Sequence, residues 1–172
     1  MGGRGGVSGL SNNSDKGISN SLPNESDFKF RNLPDLEGSP KQIDWAEKIR
    51  NRVLGDLQSY ATGYQSDGNS AIDNVIGKTK SEMVQKVKQR IDGASSNEAK
   101  EYQRNYTIER YKDISERIKR VNEVAAVKSA SWWIDYSQKY ETRSGMRGNY
   151  RNADFKRYID GKAKIKKGFL PT

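Results

Sequence analysis

The sequence predicts an all-α protein: a small bundle of three to four helices with a disordered Gly/Ser/Asn-rich N-terminal tail and a basic C-terminal extension. Helix-capping signals precede two of its apolar segments, apolar residues recur at spacings of three and four, and no segment shows the alternation that is typical of a β-strand. Hydrophobic residues make up only 33% of the 172 residues, so the core is expected to be small for a chain of this length.

Residues 1–33 are expected to form the disordered tail. Gly, Ser and Asn dominate this segment, and its scattered apolar residues follow neither helical nor strand periodicity. A segment that buries little apolar surface cannot offset the entropy that it loses on ordering. The end of the tail carries Phe28, Phe30 and Leu33, which could dock on the helical domain predicted over 34–142.

The first helix of that domain is predicted to start at Ser39. This residue is a capping serine, Pro40 stands at the first helical position, and Gln42 follows the cap by three residues. Glycines near residue 63 end the segment. The residues at helical spacing on the inner stripe are Ile43, Ala46, Ile49 or Arg50, Val53 and Leu57, with Trp45 and Leu54 broadening the stripe.

Two more helices are predicted in the middle of the chain. Thr79 and Glu82 form a second capping box, and Asp92-Gly93 ends the helix that they start. The next helix begins near Ser96 and is the longest. Its apolar face is predicted to contain Tyr102, Tyr106, Tyr111, Ile114, Ile118, Val121 and Val124.

A short last helix is predicted where Ser129 or Ser131 precedes a group of aromatic residues. That group contains Trp132, Trp133, Ile134, Tyr136 and Tyr140. Further on, a weaker helical patch surrounds Phe155, Tyr158 and Ile159.

The C-terminal extension, residues 143–172, carries most of the protein's charge. It contains nine Lys and Arg against two Asp, which is +7 of the net charge of +9. Aromatic residues lie between these cations. Cations neutralise phosphates, and rings stack on bases or pack in a protein groove. The predicted partner- or nucleic-acid-binding residues are Arg143, Arg147, Arg151, Lys156, Arg157, Tyr158, Lys162, Lys164, Lys166 and Lys167. The alternative is a solvated segment that has no dedicated partner.

The composition argues against the common catalytic chemistries. The chain has no Cys and no His, which excludes thiolate nucleophiles, histidine-based triads and ordinary zinc sites. Gly77-Lys78-Thr79 lacks the earlier glycine of a phosphate-binding loop, because Ile72 stands at that position. A nuclease that uses carboxylates alone, such as Asp35 and Glu98, stays open as an alternative. We therefore expect a non-enzymatic binding protein without a metal or cofactor.

The sequence also predicts where the protein acts. No apolar run approaches the roughly 20 residues that span a bilayer, and the N-terminus lacks the apolar stretch of a signal peptide. We expect a cytoplasmic protein of the host cell with no membrane partner. The longest helix has heptad-like spacing that would allow a homodimer, although packing within the chain explains the same pattern.

Two blocks of the sequence carry a family resemblance. Residues 36–50 follow the pattern L-x-G-S-x-K-Q-I-x-W-A-x-x-I-R, and residues 130–135 follow A-x-W-W-I-D. Together they cover about an eighth of the chain and resemble blocks of small accessory proteins of phages and mobile elements. Physically, both blocks are expected to be structural, with Ile43, Trp45, Ala46 and Ile49 packing against Trp132, Trp133 and Ile134, and with Lys41, Arg50 and Asp135 at the rim. The alternative is that a tryptophan of these blocks forms a binding surface.

The resemblance implies a genomic setting in which some small helical proteins are anti-CRISPR or other anti-defence factors. The implied partner is a host defence nuclease or its guide RNA. Two alternatives stay open: a phage DNA- or RNA-binding protein without a protein target, and a virion-associated structural component.

Overall fold

The computed structural model describes residues 11–62, 77–138, 153–161 and Leu170. Within these ranges the chain forms α-helices and one short 3-10 turn, Glu25–Phe28, and contains no β-strand. The helices are α1 (Ser11–Ser21), α2 (Pro40–Ala61), α3 (Lys80–Asp92), α4 (Asn97–Ala125), α5 (Ala130–Tyr136) and α6 (Ala153–Ile159). The all-α prediction is confirmed, and the four helices expected between residues 34 and 142 are α2 to α5.

The described residues group into two compact units. Unit 1 contains the residues up to Phe28 and those between 77 and 115, and unit 2 contains the rest, so α4 contributes to both. They group segments differently from the domains expected over 1–33, 34–142 and 143–172, which stay a prediction. The reason is physical: segments that are far apart in the sequence share one core, which composition along the chain does not reveal.

Local hydrogen bonds explain where the helices start. At α2 the Ser39 amide donates to the Gln42 side chain at 3.0 Å, and the Gln42 amide donates back to the Ser39 hydroxyl. Thr79 and Glu82 form the same reciprocal pair at α3. The hydrogen bonds from Thr79 lower the pKa of Glu82. Both predicted capping boxes are therefore confirmed.

Unit 1 includes residues 11–28, which belong to the segment that was expected to be a disordered tail. Helix α1 packs on α3, and Ile18, Leu22 and Phe28 are buried. The Phe28 ring contacts Tyr111 edge-on, with 6.0 Å between centroids. Residues 11–28 thus contain a helix and a 3-10 turn, which contact α3 and Tyr111 of α4. Residues 1–10 lie outside the described part of the chain.

Unit 2 is built around the contact between α2 and α5. The Glu37 amide donates to the Lys128 carbonyl at 2.8 Å, and the Ala130 amide donates to the Glu37 carbonyl at 3.0 Å. A Cβ atom at Gly38 would lie 3.0 Å from the Cβ of Ala130, so this position accepts a larger residue only if its neighbour shifts. The two sequence blocks therefore meet through their backbones at this point.

The packing of α2 on α5 partly matches the expected core. Ala46, Ile49, Trp133 and Ile134 are buried as predicted. Trp45, however, is 50% exposed, whereas Arg50, which was expected at the rim, is buried. The helical period explains this exchange, because Arg50 lies on the same side of α2 as Ala46 and Val53, and Trp45 lies off that side.

Arg50 is accommodated in the core of unit 2 by a backbone partner. Its guanidinium donates to the Pro34 carbonyl at 2.6 Å. Burial lowers the pKa of Arg50, while the charges of Glu47 and Asp35 act in the opposite direction.

The long helix α4 begins as predicted, since the Ser96 hydroxyl accepts from the Ala99 amide at 3.1 Å. Its apolar positions pack within the chain, as the intramolecular alternative expected. The buried residues are Ile108, Tyr111, Ile114, Ile118, Val121, Val124 and Ala125. Tyr102 and Tyr106 differ from the prediction: they are exposed and stack on each other with 5.9 Å between centroids.

Substitution by alanine is expected to change the stability in opposite directions at two glycines. Gly55 lies in an exposed interior turn of α2, and an added Cβ would meet nothing within 4 Å. We expect Gly55→Ala to raise the free energy of unfolding by about 0.5–1 kcal/mol, because alanine loses less backbone entropy in a helix. Gly161 has φ +70, and its added Cβ would lie 3.3 Å from the Arg120 guanidinium, so Gly161→Ala is expected to lower stability.

Urea denaturation of the two variants and the wild type tests this pair. A destabilised Gly55→Ala variant would show that the exposed turn of α2 does not behave as an ordinary helix interior.

Candidate functional site

The sequence-predicted binding residues fall into two groups. Lys156, Arg157 and Tyr158 lie in α6 and are described by the structure. The other predicted residues lie outside the described part of the chain: Arg143, Arg147, Arg151, Lys162, Lys164, Lys166 and Lys167.

Helix α6 is fixed to unit 2 by its apolar residues. Phe155 and Ile159 are fully buried. The Phe155 ring contacts Tyr136 and Trp132, with 4.7 Å and 6.2 Å between centroids. The described part of the predicted C-terminal extension is therefore part of the core of unit 2, because this short helix brings two large apolar side chains to α2 and α5.

Lys156 is held inside unit 2 instead of pointing freely into solvent. Its ammonium lies 3.2 Å from a carboxylate oxygen of Asp56 and 5.4 Å from the centre of the Tyr60 ring. The Tyr60 hydroxyl donates to Asp160 at 2.7 Å, and Arg117 lies 3.3 Å from the other oxygen of that carboxylate. These contacts give Lys156 a structural role, which the charge pattern of the sequence could not distinguish from binding.

Tyr158 is also engaged within unit 2. Its hydroxyl donates to the carboxylate of Glu123. Burial raises the pKa of Tyr158 to about 12, with the Glu123 hydrogen bond and charge adding to the rise and Arg120 opposing it. Arg120 in turn donates to the Ile159 carbonyl at 2.6 Å, at the end of α6.

Arg157 is the exposed cation among the three predicted residues of α6. Asp154 is also exposed on this helix and is the acidic residue of its first turn. Of the predicted residues that the structure describes, Arg157 is therefore the one best placed to contact a partner.

A second basic surface, which the sequence analysis missed, lies on α2. Lys41, Trp45, Lys48 and Arg52 are all exposed and follow one another at helical spacings of four, three and four. We call these four residues the α2 cation face. The sequence signal was present, since cations stand four residues before and three and seven residues after Trp45. The pattern did not predict this surface, because the main interpretation placed Trp45 in the core and its binding-surface alternative was not combined with the neighbouring cations.

The structure gives two further findings that bear on function. Among the described residues, no cluster of three or more acidic side chains could hold a metal ion. In the same ranges, no helix has the length and apolar character needed to cross a membrane.

Comparisons with protein-family models, with curated proteins and with solved structures found nothing that matches this chain.

The contacts of α6 predict different effects for its two neighbouring cations. We expect Lys156→Ala to lower the free energy of unfolding by about 1 kcal/mol, because it removes a partly buried ion pair and a cation–π contact. Arg157→Ala should change stability by less than about 0.5 kcal/mol, because its side chain is exposed. Chemical denaturation measures both values, and equal effects would contradict the distinction between a structural and a surface cation.

The hydrogen bond of Tyr158 predicts a pH dependence. Its folded-state pKa is raised from 10.0 to about 12, so the neutral phenol is favoured in the folded chain. The resulting contribution to stability is complete below pH 10 and is lost as the pH rises toward 12. Subtracting the tyrosinate absorbance titration of Tyr158→Phe from that of the wild type isolates this group. A midpoint near 10 in the difference curve would contradict the assignment.

Proposed function

We propose that this protein is a non-enzymatic anti-defence protein of a phage or mobile element, which acts in the host cytoplasm. In this proposal it inhibits a host effector nuclease, such as a CRISPR nuclease, by binding the nuclease, its guide RNA or both. The proposal combines the resemblance of the two sequence blocks with the cationic character of the C-terminal residues.

The observation that carries the proposal is the position of α6 within the basic stretch. This helix is anchored in unit 2 by Phe155 and Ile159, and it exposes Arg157. In the sequence, Arg151 precedes α6 by two residues and Lys162 directly follows Gly161. Cations therefore lie on both sides of α6 in the sequence, and the helix that connects them is already packed in a core, so binding need not offset the ordering entropy of α6 itself.

Electrostatics supports a polyanionic partner. Residues 143–172 hold +7 of the net charge of +9. A guide RNA, or an acidic surface of the effector protein, attracts such a surface and accelerates the encounter. The absence of Cys and His from the sequence favours binding over nucleophilic or zinc-dependent catalysis.

A second candidate function is a phage DNA- or RNA-binding protein that has no protein target. The α2 cation face favours it, because an exposed tryptophan between cations is suited to a nucleic acid without any effector protein. This alternative predicts that all recovered binding partners are nucleic acids.

Replacing four C-terminal lysines in the full chain tests the main proposal. We expect Lys162, Lys164, Lys166 and Lys167 changed to Ala to abolish or strongly reduce effector inhibition, because the variant loses four positive charges next to α6. The matched control removes four exposed lysines elsewhere, Lys16, Lys100, Lys112 and Lys119. Unchanged inhibition by the C-terminal variant would contradict the role of this segment.

Truncation gives an independent version of that test. A chain that ends at Gly161 keeps α6 and its buried residues, whereas a chain that ends at Ser144 would remove Phe155 and Ile159 from the core.

Affinity capture from lysates that contain defence systems separates the two candidate functions. A stoichiometric protein that stays bound after nuclease treatment supports an inhibitor of that protein. Complete loss of the captured material on nuclease treatment supports the nucleic-acid-binding alternative instead.

A further inference from the structure

We infer that the α2 cation face is a binding site for single-stranded nucleic acid. Its residues lie outside the C-terminal segment that carries the proposed function, so the inference stands independently of any effector protein. Lys41, Trp45, Lys48 and Arg52 are exposed, recur at helical spacing and include three cations.

The four side chains form one row along the helix. They span 11 positions, which at 1.5 Å per residue corresponds to roughly 16 Å. All four are exposed, and the row lies away from the buried side of α2 that contains Ala46, Ile49 and Val53. The row is therefore long enough for several phosphates of a strand that runs along it.

Trp45 occupies the interior of this row. Half of its surface is exposed, and it forms no ring contact, ion pair or hydrogen bond with the residues that the structure describes. The fully buried indole of unit 2 is instead that of Trp133, whose Nε1 donates to the Val127 carbonyl at 3.0 Å. An exposed ring with cations on both sides can stack on a base while its neighbours contact the backbone phosphates.

The exposed tyrosines of α4 show why charge matters as much as exposure. Tyr102 and Tyr106 also form an exposed aromatic surface, and they already stack on each other. Glu98 lies four residues before this pair and Glu109 three residues after it. Carboxylates thus occupy the positions where the α2 cation face has lysines, and they would repel a phosphate backbone.

The two lysines of the α2 cation face, Lys41 and Lys48, are available to contact phosphate. Lys48 lies 2.9 Å from Asp44, but both side chains are 72% exposed, so solvent screens this ion pair and it holds Lys48 only weakly. Lys41 forms no hydrogen bond or ion pair with the described residues. Either lysine can therefore reorient toward a phosphate at small cost.

The arrangement favours single strands over duplexes. A duplex keeps its bases stacked inside, and the face of an indole then has no base to contact. Unpaired bases expose their faces to aromatic side chains. Because stacking does not distinguish the sugar, RNA and DNA share the required chemistry.

Fluorescence anisotropy with labelled oligonucleotides and purified full-length protein tests the inference in the absence of any effector. Short oligouridine and oligothymidine are compared with a duplex of the same length. We expect both single strands to bind more tightly than the duplex. Trp45→Ala should weaken single-strand binding roughly 5- to 150-fold, and Trp45→Phe should retain most of it.

The salt dependence tests the cations separately from the ring. Replacing Lys41 and Lys48 by Gln should reduce the slope of log affinity against log salt by about 0.7 per lysine. Tyr102→Ala/Tyr106→Ala is the matched aromatic control and should bind like the wild type. Each variant is first compared with the wild type in thermal unfolding, which should change little because the substituted side chains are exposed.

Absence of oligonucleotide binding, or wild-type affinity in Trp45→Ala, would overturn the inference. Equal affinity for duplex and single strands would overturn it as well. The same measurements are repeated with the four C-terminal lysines changed to Ala. If Trp45→Ala still weakens single-strand binding in that background, the binding is assigned to α2. If Trp45→Ala no longer weakens it, binding depends on the C-terminal segment instead.

Discussion

The packing of α2 on α5 is the interaction on which the rest of unit 2 depends. A pair of backbone hydrogen bonds joins Glu37 to Lys128 and Ala130, and Gly38 allows the close approach at that point. Ala46 and Ile49 on α2 and Trp133 and Ile134 on α5 are buried in this unit. Because close-packed cores tolerate little change in volume, the position of this contact also sets which sides of α2 stay available to solvent.

Helix α6 illustrates how the polar residues of a basic segment can lie in different environments. Two of its residues are buried, and two of its polar residues contact Asp56 and Glu123 within unit 2. Arg157 is exposed beside them. A run of cations in a sequence therefore need not act as one surface, because each turn of a helix directs successive side chains to different environments. The proposed partner would contact the cations that the internal pairs leave available.

The two basic regions of unit 2 differ in how they present their charge. On α6 and its sequence neighbours, charge density is high and the aromatic residues that the structure describes are mostly used in packing. On α2 the charge density is lower, but an exposed tryptophan lies within the row of cations. The first arrangement is suited to electrostatic attraction of a polyanion, and the second adds a surface that can recognise unpaired bases.

The sequence by itself determined the features that rest on local interactions. The capping boxes at Ser39 and Thr79 involve residues only three positions apart, so their pattern was sufficient to predict where α2 and α3 begin. The helical patch around Phe155 and the charge of the C-terminal residues could also be predicted from the sequence. Only the tertiary structure decided that α1 is ordered, that Arg50 is buried while Trp45 is exposed, and that Lys156 and Tyr158 have partners inside unit 2. Lys156 and Tyr158 depend on carboxylates from distant parts of the sequence, and a local pattern does not specify where such a partner lies. The position of Arg50 follows from the helical period of α2 together with a hydrogen bond to the backbone carbonyl of Pro34.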